Sequence, residues 1–450
     1  MTYATLPGGT SYGRVEDRPD LLESWEDIKR LVYLCVQDDA STRGSMTSIN
    51  LFHYGLRRCY TKNPVTIFIT VNNSLEEDRP RVIATIKEAM AKSHFPPLNA
   101  YIELNTDFYG HPDSDVGRIS HLSEMVFGDY GTAVNLGDAI GEANIEENNG
   151  ERRHSGYGAL GCYVEIREND NSSWQKYALT SYTVVRATLE GSDLQKADES
   201  GLLPGDHKVA SLSSPPRAKH DYTIGVLRRR LEERITMRQE DATLIASLDD
   251  AMFTTKIDEE IAELEADIEK RLKFFEDEKH ILGKVYAASG VNSKTPENGR
   301  LDWALVKVNE ARIGNNILPG RKEWEKAMRD PFATFGKPLK PQTQSISHKS
   351  EMPYREGYKY AASTGATHGR YHEFKSDVNL GGGTTSSEYI FQTIPHEEYA
   401  QRRDSGSVVY DRFGGVLGLV FGGLRPKRGM FPGGHAYVTP IEYEIGRAHV

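Results

Sequence analysis

The chain has 450 residues, 38% of them apolar, which is enough for two or three domains with cores of their own. Its 65 acidic residues outnumber its 55 basic residues, so the net charge of −10 argues against nucleic acid and anionic membranes as partners. Three cysteines without C-x-x-C spacing, Cys35, Cys59 and Cys162, argue against a disulfide scaffold or a zinc site, and we expect free thiols.

Residues 1–135 are expected to form a small α/β domain. The segments DLLESWEDIKRLVYLCVQ and DRPRVIATIKEAMAKS have the apolar spacing of amphipathic helices, whereas PVTIFITV and NAYIELN have the composition of strands. A strand, a helix and a strand in succession predict a parallel crossover unit. The unit contains neither a G-x-G-x-x-G sequence nor a P-loop lysine, so we expect no nucleotide and no other cofactor.

The following segment, 136–156, is rich in glycine, asparagine and glutamate and is expected to be a linker. Beyond it, alternating apolar residues and glycine-rich bends predict short strands of an antiparallel barrel or sandwich. The candidate strands are ALGCYVEIRE, QKYALTSYTVVRA, LDWALVKV, GYKYAASTGATHGRYHEF, SSEYIFQTI, DSGSVVYDRFGGVLGLVFGG and HAYVTPI.

A helical block, 224–283, interrupts these strands. Its apolar residues recur at helical spacing at Ile257, Ile261, Leu264, Ile268, Leu272 and Phe275. One helix of 60 residues would be about 90 Å long, too far for a chain that must return to the same barrel. We therefore expect an antiparallel helical hairpin with its turn near 253–255. The same stripe could serve as a coiled coil for a protein partner or a homo-oligomer.

A turn of small residues, Asp404-Ser405-Gly406, precedes an apolar, glycine-punctuated hairpin and could present a serine nucleophile. Acyl transfer by serine also needs a base, a buried carboxylate that orients the base, and amide donors for the oxyanion. Asp302 directly precedes the apolar strand segment WALVKV and is the candidate acid.

These segments resemble the chymotrypsin/trypsin-like serine endopeptidases, especially HtrA-type members and intracellular protease-like proteins common in fungi. YALTSYTVVRA is similar to their LTxxHVV segment, LDWALVKV to DxALLKV, RDSGSVVYDRFGGVLGLVFGG to GDSGSxVxDxxGxVxGLxFGG, and AYVTPI to the last barrel strand. The resemblance covers about 156–441 apart from the helical block. It implies a two-barrel antiparallel β protease domain over 157–443, and hence an α+β fold for the whole chain.

The resemblance implies roles for three residues. Ser405 is the nucleophile and Asp302 the orienting acid, but Thr183 occupies the position of the catalytic histidine. A threonine hydroxyl is no general base near neutral pH, and loss of this base costs on the order of 10⁶ in turnover. The expected function is a catalytically impaired serine endopeptidase homologue that still binds polypeptide.

Further site residues follow from the same resemblance. The oxyanion hole is assigned to the backbone amides of Arg403, Asp404 and Ser405, although Arg403 replaces a glycine of the family. Gly422 and Gly423 are expected in the wall of the peptide-binding cleft. A specificity pocket is expected from Glu397, Glu398 or Tyr399.

An active endopeptidase remains the alternative, with Asp302, Ser405 and a histidine from elsewhere; the candidates are His154, His207 and His220. His368 and His372 are four residues apart without an H-E-x-x-H sequence, so no metal site is expected. The glycines at 381–383 precede no lysine and predict a loop and not a phosphate site.

The two ends of the chain bear on localisation and on the origin of the last residues. The first residues lack the basic and apolar regions of a signal peptide, and no apolar run approaches 18 residues, which predicts a cytoplasmic or nuclear protein. The last seven residues, EIGRAHV, look like a sequencing adapter translated in frame, so 444–450 are expected to be a non-native tail.

Overall fold

A computed structural model describes residues 11–16, 18–57, 59–73, 76–104, 108–109, 130–143, 147–148, 151–152, 157–167, 172–205, 211–245, 251–296, 298–326, 337–343, 356–361, 363–379, 385–393, 399–401, 403–424 and 435–441. Its helices are α1 (Pro19–Asp38), α2 (Arg79–Lys92), α3 (Tyr182–Arg186), α4 (Gly191–Ser200), α5 (Arg217–Ile245), α6 (Ala251–Glu276) and α7 (Arg321–Lys326).

The strands up to the helical block are β1 (Ser11–Gly13), β2 (Met46–Gly55), β3 (Val65–Val71), β4 (Asn99–Leu104), β5 (Phe108–Tyr109), β6 (Ala139–Glu142), β7 (Glu147–Asn148), β8 (Glu151–Arg152), β9 (Tyr157–Ala159), β10 (Cys162–Ile166), β11 (Gln175–Thr180) and β12 (Ser211–Ser213). Those after it are β13 (Ile281–Ala288), β14 (Ala304–Val308), β15 (Lys340–Thr343), β16 (Glu356–Ala361), β17 (Gly365–Asn379), β18 (Thr385–Thr393), β19 (Val408–Tyr410), β20 (Gly415–Leu424) and β21 (His435–Pro440).

Six C-terminal strands form a closed antiparallel β-barrel. They pair in the order β16-β19-β20-β21-β18-β17, and pairing between β16 and β17 closes the ring. The inward residues include Tyr371, Phe391, Val409 and Val438, which pack in one apolar cluster. The alternating pattern of the sequence produces this arrangement because successive side chains of a strand point to opposite faces.

A second, curled antiparallel sheet has the strand order β10-β11-β14-β13-β12-β6-β9. Its strand β6 lies in the segment predicted to be a linker, and Ala139 and Ile140 in β6 are fully buried. The second sheet, called the half-barrel below, therefore includes a strand that the polar composition of 136–156 did not indicate. The predicted strand QKYALTSYTVVRA also differs, because β11 ends at Thr180 and the chain continues as helix α3.

The N-terminal region contains the predicted parallel crossover, since β3 and β4 are parallel neighbours and α2 connects them. Strand β2 was not predicted, because its sequence MTSINLFHYG places polar residues such as Ser48 and Asn50 in buried positions. Asp377 and Val378 of β17 pair with Ile49 and Ser48 of β2. The N-terminal sheet is thus continuous with the barrel.

The helical block folds as two long helices, α5 and α6, whose contact includes Ile224, Leu227 and Ile268. The turn predicted at 253–255 is wrong, because these residues lie inside α6 and α5 ends at Ile245. Periodicity detects the helices but not their turn, and the sequence FTT at 253–255 contains no glycine or proline that would break a helix. None of the helices in the described ranges is both long and apolar enough to span a membrane.

Candidate functional site

Thr183 and Asp302 meet where β11 and β14 run side by side. Thr180 pairs with Ala304 across these antiparallel strands, so the first turn of α3 lies beside the residue that precedes β14. The Thr183 N–H donates to Asp302 Oδ1 at 3.1 Å, and its hydroxyl lies 3.2 Å from both carboxylate oxygens. The structure therefore brings together two of the three residues predicted from the family pattern.

Asp302 belongs to a buried charge network. Its side chain is fully buried, and burial raises the pKa of its carboxyl against the opposing effects of Arg300 and of the Thr183 hydrogen bonds. Arg300 Nη2 lies 3.5 Å from Asp302 Oδ1, and the Arg300 backbone N–H donates to Glu388 Oε1 at 3.0 Å. Burial raises the pKa of Glu388 to about 7. Arg300 thus contacts one buried acid through its guanidinium and a second through its backbone N–H.

The Ser405 turn belongs to the closed barrel and lies against the second sheet, at the junction of the two. The Ser405 carbonyl accepts the Ala159 N–H at 2.8 Å. A Cβ on Gly158 would clash with both the Ser405 carbonyl oxygen and Val184 Cγ2, so this glycine permits the close approach of the turn to α3. Ser405, from the closed barrel, and Thr183, from the half-barrel, are therefore on the two sides of one interface.

The Ser405 hydroxyl is bound to a carbonyl and not to a base. Its Oγ donates to the Phe421 carbonyl of β20 at 3.0 Å, and the residue is buried. This is the only hydrogen bond of that hydroxyl among the described residues. A proton held by a backbone carbonyl is not activated for transfer, because the carbonyl is far less basic than imidazole.

Arg403 has a backbone conformation that is unusual for a residue other than glycine. Its φ is +80°, in the left-handed region that favours glycine. Its guanidinium stacks on Tyr157, with Cζ 4.7 Å from the ring centroid, and donates to the Tyr157 hydroxyl at 3.3 Å. Within the described part of the chain, the backbone N–H groups of Arg403 and Ser405 have no acceptor, whereas the Asp404 N–H donates to the Gln401 carbonyl at 3.1 Å.

The Asp404 side chain fixes the Ser405 turn through buried contacts. It pairs with Lys359 at 2.9 Å, and both side chains have no exposed surface. Its oxygens also accept the backbone N–H groups of Ser363, Thr364 and Gln401 and the Thr364 hydroxyl. The Asp404 carboxylate therefore holds the turn and is not available to a ligand.

The histidines in the described ranges lie elsewhere. His220 stacks on Phe275 with centroids 3.7 Å apart, at the base of the helical hairpin. His368 and His372 lie four residues apart on β17, a separation of about 13 Å along a strand. His372 is fully buried, and burial lowers its pKa to about 3.

Several predicted positions lie outside the described residues: His154, His207, 381–383, Glu397, Glu398 and 444–450. Tyr399 is described and is fully buried, with its ring 5.6 Å from Lys359 Nζ. Gly422 and Gly423 lie in β20, directly after the Phe421 carbonyl that binds Ser405.

Sequence reasoning missed three charged residues of the site: Lys359, Arg300 and Glu388. Lys359 and Glu388 each interrupt an apolar strand segment, YKYA and SEYIF, and Arg300 stands two residues before Asp302. A charge inside a buried strand is the available signal, because it demands a partner. The partners of Lys359 and Glu388 cannot be named from the sequence, since Asp404 and Arg300 lie far from them along the chain.

A comparison with protein-family models finds none that matches the chain. A comparison with curated proteins finds no significant match. Any functional assignment therefore depends on the fold and on the residues of the junction.

Proposed function

We propose that this chain is a two-barrel protein of trypsin-like architecture that binds extended polypeptide and does not hydrolyse it. The observation that carries the proposal is the pair formed by Thr183 and Asp302. The hydroxyl and the backbone N–H of Thr183 are hydrogen-bonded to the Asp302 carboxylate. In the family that the sequence resembles, an imidazole makes this contact. The closed barrel, the curled second sheet and the Ser405 turn between them support the architecture.

Other features of the junction support binding without chemistry. Ser405 donates its proton to the Phe421 carbonyl. The N–H groups of Arg403 and Ser405, which have no acceptor among the described residues, can donate to a peptide carbonyl, as an oxyanion hole would. An extended peptide can pair with the end of β20 that follows Phe421, through backbone hydrogen bonds that need no base.

Labelling by a fluorophosphonate tests the absence of an activated serine. We expect the wild-type chain to be labelled no faster than Ser405→Ala. Thr183→His should produce labelling that depends on Ser405, because an imidazole beside Asp302 can accept the serine proton. The double variant Thr183→His/Ser405→Ala is the matched control. Rapid labelling of wild-type Ser405 would refute the proposal and favour an active endopeptidase.

Polypeptide binding is tested with an unfolded protein. Reduced, carboxymethylated α-lactalbumin should bind to the chain and be recovered intact. Cleavage that disappears in Ser405→Ala would show a working protease. Strand β5 pairs with β20. The absence of binding to an unfolded polypeptide, both in the wild type and in a variant in which β5 cannot pair with β20, would contradict the binding role.

A further inference from the structure

The proposed peptide-binding edge already holds a strand of this chain. Strand β5 is antiparallel to β20, with Tyr109 opposite Gly423 and Phe108 opposite Leu424. The same residues of β20 pair on their other side with β21, where Gly423 lies opposite Ala436. Both edges of β20 are therefore occupied at Gly423.

The pairing lies close to the candidate site. Gly423 is two residues beyond Phe421, whose carbonyl accepts the Ser405 hydroxyl. Two residues of a strand span about 7 Å. A peptide that adds to β20 next to Ser405 must therefore extend into the position of β5.

We propose that β5 is an internal ligand of the β20 edge, and that this edge binds an extended polypeptide in trans only when β5 is displaced. This inference rests on the proposed peptide-binding function. Only two residues of β5 pair, so the contact is short enough to open. Binding in trans is nevertheless opposed, because β5 belongs to the same chain and its pairing with β20 is intramolecular.

The closest mimic of the internal ligand is a peptide of the same sequence. The probe is the fluorescein-labelled peptide LNTDFYGHP, corresponding to residues 104–112. A control probe carries proline in place of the phenylalanine and the tyrosine, because proline lacks the N–H that strand pairing requires. Binding is measured by fluorescence polarisation.

Two variants of the full chain open and lock the edge. In Phe108→Pro/Tyr109→Pro the internal strand cannot pair, and we expect the probe to bind at least tenfold more tightly than to the wild type. In Phe108→Cys/Leu424→Cys, made with Cys59→Ser, a disulfide holds the strand in place. Binding of the probe should be lost on oxidation and should return on reduction.

Hydrogen exchange at Gly423 and Leu424 separates the inference from the function on which it rests. Faster exchange in the proline variant, together with tighter probe binding, supports both. Unchanged exchange overturns the inference, as does equal probe affinity in wild type, opened and locked chains. Faster exchange with no probe bound by any variant overturns the peptide-binding function, whereas the internal pairing stands.

Discussion

Thr183 suits its position because a short side chain can bind the Asp302 carboxylate through its own hydroxyl and N–H. An imidazole at this position could accept a proton near neutral pH, which a hydroxyl cannot do. In this chain the serine hydroxyl instead turns to the Phe421 carbonyl. The junction of the two sheets thus holds two separate hydrogen-bonded pairs, Thr183 with Asp302 and Ser405 with Phe421.

The ion pair of Lys359 and Asp404 supports a further prediction. Lys359→Met should destabilise the fold by about 3–5 kcal/mol, because it leaves a fully buried carboxylate without its counter-charge. Urea denaturation measures the loss. Lys92→Met is the control, since Lys92 is 73% exposed, and should leave stability unchanged. Equal stability of Lys359→Met and wild type would show that Asp404 is held by its N–H donors alone.

The buried carboxyl of Glu388 is expected to make the stability of the fold depend on pH. Its folded-state pKa of about 7 lies above the ordinary 4.5, so the folded chain binds its proton more tightly than the unfolded chain. The stability that protonated Glu388 provides is complete below pH 4.5 and is lost as pH rises through about 7. Relative to Glu388→Gln, the wild type should weaken over this interval, with a limiting slope of about 1.4 kcal/mol per pH unit. Parallel stability curves would contradict the assignment.

At the scale of elements, the helical hairpin is attached to the half-barrel by an aromatic stack. Phe275 of α6 lies between His220 and His280, with centroids 3.7 Å and 4.0 Å away. Burial, together with smaller contributions from neighbouring arginines, lowers the pKa of both histidines to about 4. The hairpin base is therefore stable only while both rings are neutral.

This stack predicts a loss of stability in acid. A histidine whose folded-state pKa is depressed contributes stability above its ordinary pKa of 6.5, and this is lost as pH falls towards 4. His280→Phe keeps a ring on Phe275 and removes one titrating group. Its urea midpoint should therefore fall less steeply than that of wild type between pH 6.5 and 4. An equally steep fall would place the acid sensitivity elsewhere.

At the scale of the whole molecule, the N-terminal region and the closed barrel share a sheet and a buried charge. Lys29 of α1 donates to Asp377 of β17 at 2.7 Å and to Ser387 of β18 at 3.0 Å. The Trp25 indole donates to the Lys375 carbonyl at 2.7 Å. These contacts make the N-terminal region part of the barrel's stability and not an independent appendage.

Lys29→Met tests this connection. We expect a loss of about 3 kcal/mol, because Asp377 keeps little exposure and loses its buried partner. Native-state hydrogen exchange should show the same decrease for amides of β3 and of β20, as a shared unfolding unit requires. A decrease confined to β3 would show that the two regions unfold separately.

Local pattern was sufficient for many elements. Apolar periodicity predicted α1, α2, the parallel pair β3 and β4, and the barrel strands, because burial of one face imposes a period of 3.6 or 2. It did not predict β2 or β6, whose buried positions include polar or small residues. It also misplaced the turn between α5 and α6.

The sequence by itself determined that Ser405 lies on a tight turn and that Asp302 precedes a buried strand. Only the tertiary structure decided that Thr183 binds Asp302, that Lys359 compensates Asp404 and that β5 covers the edge of β20. The physical reason is the sequence separation between interacting residues. Periodicity reports which face of an element is buried, whereas the partner of a buried charge or strand edge lies tens to hundreds of residues away and is chosen by the packing of whole sheets.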